Sequence, residues 1–216
     1  MGDWKLEINT VGPLQMNSIL LTAEGPDGKV AMLIDPGDEA QRLLRQIEKS
    51  GCQLTHLVAT HGHFDHVAAT AEIQTVHDLP LICHPAALPV IERLPEVQQA
   101  YGLPGSTVPH CEPSLRHGES LRFAGAEILV SHVPGHCPGH VMLHLDQFSP
   151  PRLASGDCLF HESVGRTDLP GGSFPELEKS IRECIYTLPD ETIVLTGHGP
   201  DTTIGHEKIH NPFVQA

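Results

Sequence analysis

Aromatic side chains are scarce in this chain, at 4% of 216 residues, so Val, Ile, Leu and Ala must fill most of any interior. Basic residues are scarce as well. Thirteen Lys and Arg stand against 27 Asp and Glu, a formal charge of −14, and a surface of that sign repels phosphate backbones, which argues against a nucleic-acid partner. No stretch reaches the ~18–20 apolar residues of a membrane span, so no membrane partner is expected. The six cysteines (52, 83, 111, 137, 158, 184) include no C-x-x-C pair and form no tight framework. The opening MGDWKLEINTVGPLQ has neither a basic n-region nor an apolar h-region. The expectation is a soluble cytoplasmic protein with reduced thiols. Repeats, low-complexity tracts and long charged linkers are missing too. The length suits one α/β domain over 1–216, large enough to fold without a disulfide or a structural metal. Oligomeric state leaves no trace in the sequence.

Histidine is abundant, at 16 residues. It is the side chain most often used to bind metal, which favours a metalloprotein without locating the site.

Short β-type runs occupy 4–9, 18–24 and 29–35, the last ended by Pro36 and Gly37. Asp38 is expected to cap a helix through about Ser50, with Leu43, Leu44 and Ile47 on one face and Gly51 as its stop. A buried strand over 54–60 leads into the turn HGHFDH and a second helix at about 66–77. After a strand at 80–84, residues 85–113 read as Pro-rich and irregular, with one short helix at most. Strands follow at 120–124, 126–133, 141–145 and 153–156. A helix from Glu176 to Leu188 carries Leu177, Ile181, Ile185 and Leu188 on one stripe, and strand 192–196 with a short tail ends the chain. Strand groups preceding helices, twice over, suit two mixed sheets covered by helices on their outer faces.

The informative segment is Thr60-His61-Gly62-His63-Phe64-Asp65-His66. Three imidazoles and a carboxylate within six residues, just after a buried strand, offer N and O donors suited to zinc, iron or manganese. His61 and His63 can converge on one ion from an extended turn, while Asp65 and His66, entering the next helix, can face a second. A polar turn capping the helix is the plain alternative, but capping requires one such residue rather than four. Three later segments share one layout of apolar strand, Gly-containing turn and ligand-type residue: Val133-Pro134-Gly135-His136, Ala154-Ser155-Gly156-Asp157 and Thr196-Gly197-His198-Gly199-Pro200. Each alone is weak. Together they suggest a common rim where cations sit, with glycines allowing close backbone approach.

The series THGHFDH, PGH, GD and GHG, within residues 56–200, resembles the metallo-β-lactamase superfamily. That resemblance implies a four-layer αβ/βα sandwich, α/β in class, with two mixed β-sheets flanked by helices. It also implies a two-metal site: His61, His63 and His136 on the first ion, Asp65, His66 and His198 on the second, and Asp157 bridging. Zinc is the first expectation for both ions, with iron and manganese as the others. His132 and His140 match accompanying positions and are read as structural. Cys137 and Cys158, next to ligands on extended backbone, should point away and pack. Two such cations bridge a hydroxide, lower its pKa and polarise a carbonyl, and Asp65 is the candidate catalytic residue that orients the nucleophile.

Three further segments narrow the resemblance. Pro13 to Asn17, Gly165-Arg166-Thr167-Asp168-Leu169-Pro170-Gly171-Gly172, and Gly205 to Phe213 are similar to the short, single-domain glyoxalase II-like proteins. These resemble hydroxyacylglutathione hydrolases, which cleave S-D-lactoylglutathione to D-lactate and glutathione in methylglyoxal detoxification. The implied activity is a thiolesterase acting on a small glutathione conjugate. The C-terminal helical domain with which full-length glyoxalase II grips glutathione has no counterpart among these 216 residues. Arg166 is the candidate substitute for binding a substrate carboxylate, and its alternative reading is an ion pair with Asp168. The walls of the pocket are expected from loop 85–113 and the tail. Two other functions compete. A glutathione persulfide dioxygenase would use one iron on His61, His136 and Asp157, and a catalytically idle binding module would be expected to have lost ligands that this chain retains.

Overall fold

The computed structural model describes residues 3–215. The chain gathers into two compact units, residues up to 114 with 122–127, and 115–121 with 128 onwards.

The first unit is built on a six-stranded mixed sheet. Strands β1 (Lys5–Val11), β2 (Met16–Gly25) and β3 (Gly28–Ile34) form an antiparallel meander. Strands β4 (Gln53–Val58), β5 (Leu81–Ile82) and β6 (Cys111–Glu112) then add in parallel, in the order β1-β2-β3-β4-β5-β6. Helical segments make the parallel crossovers, as such connections require: α1 (Ala40–Ser50), α2 (Phe64–Val67), α3 (Thr70–Gln74), α4 (Leu88–Ile91) and α5 (Leu94–Ala100). Leu43 and Ile47 of α1 and Ile73 of α3 are buried in one cluster with Leu33, Leu57 and Leu81 of the sheet.

The second sheet is also mixed, in the order β14-β13-β10-β9-β8-β7. Its members are β7 (Ser120–Phe123), β8 (Ala126–His132), β9 (Val141–Leu145), β10 (Arg152–Gly156), β13 (Ile193–Thr196) and β14 (Thr202–Thr203). β10 and β13 are parallel; β9 and β14 run antiparallel to their neighbours. A small hairpin, β11 (Leu159–Phe160) and β12 (Ser163–Val164), follows β10. Helix α6 (Phe174–Ser180) continues into a π-type turn over Ile181–Ile185, and α7 (Ile204–His210) comes near the end. Leu177, Ile181 and Ile185 form the expected buried stripe and pack with Leu153 and Val194 of the sheet.

Several expectations needed correction. The α1 cap is Glu39, in a left-handed conformation, not Asp38; the Asp38 carboxylate instead accepts the Glu39 amide at 2.6 Å. The helix foreseen over 66–77 starts at Phe64 and breaks after Val67, because the Ala69 amide donates to the Pro36 carbonyl at 3.0 Å and not to the preceding turn. Segment 85–113 holds α4 and α5, not one short helix. Its prolines open both helices at the first turn, where no amide is needed. The short tail, for which no element was foreseen, carries α7, capped by the Thr203 hydroxyl, which accepts the His206 amide at 3.2 Å.

Among the described residues all six cysteines are free, and no helix is long and apolar enough to cross a membrane. Cys158 packs in the core with Leu159 and Leu177, where burial pushes its thiol well above the ordinary range; it is packed, as expected.

Candidate metal centre

In the first unit the turn after β4 collects four donors. His61 and His66 are fully buried, and His63 and Asp65 are half-buried. His61 Nε2 lies 3.1 Å from His63 Nδ1, and His66 Nε2 lies 3.9 Å from an Asp65 carboxylate oxygen.

The protonation of two of these imidazoles follows from their partners. Asp35 ends the β3 run at a φ of 54°, a left-handed conformation that Asp tolerates better than most residues. Its buried carboxylate receives the Thr60 amide at 2.6 Å, the Thr60 hydroxyl at 2.7 Å and His66 Nδ1 at 2.9 Å. A carboxylate only accepts, so Nδ1 of His66 carries a proton, and a neutral ring then has its lone pair on Nε2. The Thr60 hydroxyl has one proton, already given to Asp35. At 3.1 Å from His61 Nδ1 it must therefore accept, which protonates Nδ1 and leaves the lone pair on His61 Nε2 as well. One carboxylate thus sets the tautomer of two histidines, the arrangement by which proteins orient metal-binding imidazoles. Asp35 is not legible as a site residue in the sequence, because Asp-Pro-Gly after a strand reads as a turn, although it has the same strand-end layout as the candidate ligands. Gly37 is also required: a Cβ there would lie 1.6 Å from the Asp65 carbonyl oxygen.

A cavity of about 170 Å³ opens beside Asp65, with Val11, Pro13, Leu14, Phe64 and Leu103 among its walls. Two of the segments singled out in the sequence, Pro13–Asn17 and 85–113, supply part of this lining.

In the second unit the remaining three candidates meet at one carboxylate. Asp157 follows β10, and one of its oxygens lies 3.7 Å from His136 Nε2 and 3.6 Å from His198 Nε2. These separations are too long for hydrogen bonds. They approach the roughly 3.4 Å between two donors that share a tetrahedral ion at ~2.1 Å bond lengths. His136 Nδ1 lies 2.7 Å from the Arg166 carbonyl and must donate to it, so its Nε2 also presents a lone pair. His140 Nε2 accepts the Asp157 amide at 3.0 Å, which engages that nitrogen in holding the Asp157 backbone. Gly165 permits this packing, since a Cβ would come within 1.9 Å of the Asp157 carbonyl oxygen.

Arg166 acts here through its backbone. Its exposed guanidinium forks onto Asp168 at 2.7 and 2.8 Å, holding that carboxyl down at about 2. The ion pair foreseen for this side chain is present.

Imidazoles whose Nδ1 is committed to an internal partner, leaving Nε2 to a ligand, with carboxylates beside them, are the donors a divalent transition metal takes, so both halves of the expected set fit such ions.

Residues 11–198 match the family described as Metallo-beta-lactamase superfamily. The chain is 36% identical to hydroxyacylglutathione hydrolase GloC of Haemophilus influenzae, over 98% of each protein. Two solved structures are also similar. One is TTHA1623 in a di-iron-bound form, with TM-score 0.84 and 41% identity over 96% of this chain and 100% of that one. The other is the BLEG-1 B3 metallo-beta-lactamase, with TM-score 0.85 and 34% identity over 98% and 100%.

Proposed function

Because the chain belongs to the metallo-β-lactamase superfamily, whose fold it shares, we propose that it is a metal-dependent thioester hydrolase cleaving S-D-lactoylglutathione or a related hydroxyacylglutathione. His61, His63 and His136 hold one divalent ion, Asp65, His66 and His198 hold another, and Asp157 serves both. The observation that carries the choice of substrate is the end-to-end likeness to GloC, joined to a donor set with no member missing.

A divalent pair, when bound, lowers the pKa of water toward neutrality and polarises an acyl carbonyl. The chain's own groups do the rest. Asp35 and the Arg166 carbonyl keep His61, His66 and His136 in the tautomer that presents Nε2. Asp65, beside the cavity, accepts a hydrogen bond from the attacking water and orients it toward the acyl carbon. The carbon–sulfur bond then breaks, the thiol leaves as thiolate, and the water oxygen ends in the carboxylate product. Thiolates are good leaving groups, so no strong general acid is needed. Arg166 holds His136 through its backbone carbonyl, and its exposed guanidinium, paired with Asp168, remains the candidate contact for a substrate carboxylate.

Zinc is the first expectation for the ions. The similarity to TTHA1623 in its di-iron-bound form keeps iron in view, and with it the second reading, a glutathione persulfide dioxygenase with one iron on His61, His136 and Asp157. Metal analysis of the gel-filtered protein, paired with assays on S-D-lactoylglutathione, glutathione persulfide and a β-lactam, separates these readings. Two ions per chain with thioester turnover is the expected result. One iron with oxygen uptake, or turnover of the β-lactam alone, overturns it, and no activity on any of the three leaves an idle binding module.

A further inference from the structure

A second group of histidines lies outside the ligand set, on elements that the sequence reading did not foresee. His161 and Glu162 form the two-residue tip of hairpin β11–β12, and His206 and His210 stand one turn apart on α7. One donor atom from each of His161, Glu162 and His206 lies within 4.8 Å of the other two. His206 Nε2 is 3.1 Å from Glu162 Oε1. The rings of His161 and His206 stack at 4.9 Å between centroids, 22° from parallel, and the His206 and His210 rings are 4.5 Å apart. His161, Glu162 and His210 are exposed and His206 is half-buried, so an ion from solvent reaches them.

The backbones that carry these side chains are tied together from below. Glu207, fully buried on α7, accepts the Glu162 amide at 3.0 and 3.1 Å on its two oxygens. It also accepts the Thr202 hydroxyl at 2.5 Å and the Asn211 side-chain amide at 2.8 Å. Asn211 donates in addition to the Ser163 carbonyl at 3.0 Å. Glu162 itself holds a φ of 53° at the tip, which turns the hairpin sharply and leaves His161 and Glu162 on the side of His206. The donors therefore stand on a cross-linked frame, not on independent loops.

We propose that His161, Glu162 and His206 form a peripheral site for one divalent cation of the zinc class, with water completing the tetrahedron and His210 flanking it. Two imidazoles and a carboxylate are an established donor combination for zinc, and imidazole nitrogen selects such borderline ions over magnesium or calcium. The spacing agrees. A coordinating nitrogen at ~2.1 Å places its ring centroid about 3.2 Å from the ion, so two rings on one tetrahedral ion sit about 5 Å apart. Without an ion, Glu162 and His206 satisfy each other by hydrogen bonding, and the ion replaces that proton. The bound cation ties the hairpin tip to α7 and adds to the stability of that frame. None of the proposed catalytic ligands takes part.

Zinc equilibrium dialysis of the whole chain, metal-loaded as purified, tests the site. Wild-type protein is expected to bind one zinc per chain more than either His161→Gln or His206→Gln, with far-UV circular dichroism and thioester turnover unchanged. The control His110→Gln is expected to bind as wild type does. Copper(II) placed at the same site should show imidazole nitrogen hyperfine splitting in its electron paramagnetic resonance spectrum, lost in both variants. Equal zinc binding by wild type and both variants overturns the proposal, as does a loss confined to one variant. The readout is an ion count, so it holds whether or not the thioester reading does.

Discussion

Asp35 shows how much one carboxylate decides. Its three buried hydrogen bonds orient His66 directly and His61 through the Thr60 hydroxyl. Removing such an outer partner typically weakens metal binding by about 10–100-fold. Asp35→Asn, close in shape but uncharged, is therefore expected to lower zinc affinity by about that factor while keeping the native circular dichroism spectrum. Asp157→Ala should act more drastically, losing metal and turnover together, because it removes the oxygen on which His136 and His198 converge. An Asp35→Asn protein with wild-type zinc affinity would mean that the tautomers need no such guidance. The ligand types themselves were legible: His61, His63, Asp65 and His66 lie in one short segment, and residue type and spacing suffice to suggest metal binding. Asp35 was not, because its role depends on β3 ending beside the turn after β4, 25 residues further on.

At the scale of elements, local rules worked where an element makes its own contacts. α1 and the stripe Leu177–Ile181–Ile185 have clear periodicity, and Leu43 and Ile47 of the one and all three residues of the other are buried as the pattern named. They misled where a distant group competes for a backbone amide. The Pro36 carbonyl takes the amide of Ala69, and what reads as one helix becomes two. Hairpin β11–β12 and α7 escaped the sequence reading because each is too short to show a period. They are held by Glu207, whose carboxylate answers donors from three places: Glu162, Thr202 and Asn211. Glu207→Ala strands those donors in a buried setting, at ~1 kcal/mol or more apiece. Urea denaturation should show a loss of about 3 kcal/mol, with the slope unchanged. A loss under about 0.5 kcal/mol, the size of an ordinary surface substitution, would mean that the hairpin and α7 do not depend on this carboxylate.

Over the molecule as a whole, stability should fall on the acid side through histidines remote from the proposed metal ligands. Burial lowers the pKa of His56, which packs edge-on against Phe123, and of His144, which is hydrogen-bonded to Ser131, below the unfolded-chain value of 6.5. Above pH 6.5 these groups are neutral in both states and contribute nothing. Below it the unfolded chain takes up protons first, so stability declines until the folded-state values are passed. The urea midpoint of the metal-free protein should therefore drop as pH falls below 6.5, and a His56→Gln/His144→Gln double variant should drop less steeply. Parallel curves would remove these two histidines from the account. The sequence by itself determined the α/β class, the two groups of strands and the candidate donor residues, because hydrophobic period, strand-end turns and ligand chemistry are local properties of the chain. Only the tertiary structure decided which nitrogen each of His61, His66 and His136 presents, where the helix after the HGHFDH turn breaks, and how the β11–β12 tip is fastened to α7. Each of these depends on a hydrogen bond between residues far apart in sequence, and no local pattern encodes which donor meets which acceptor.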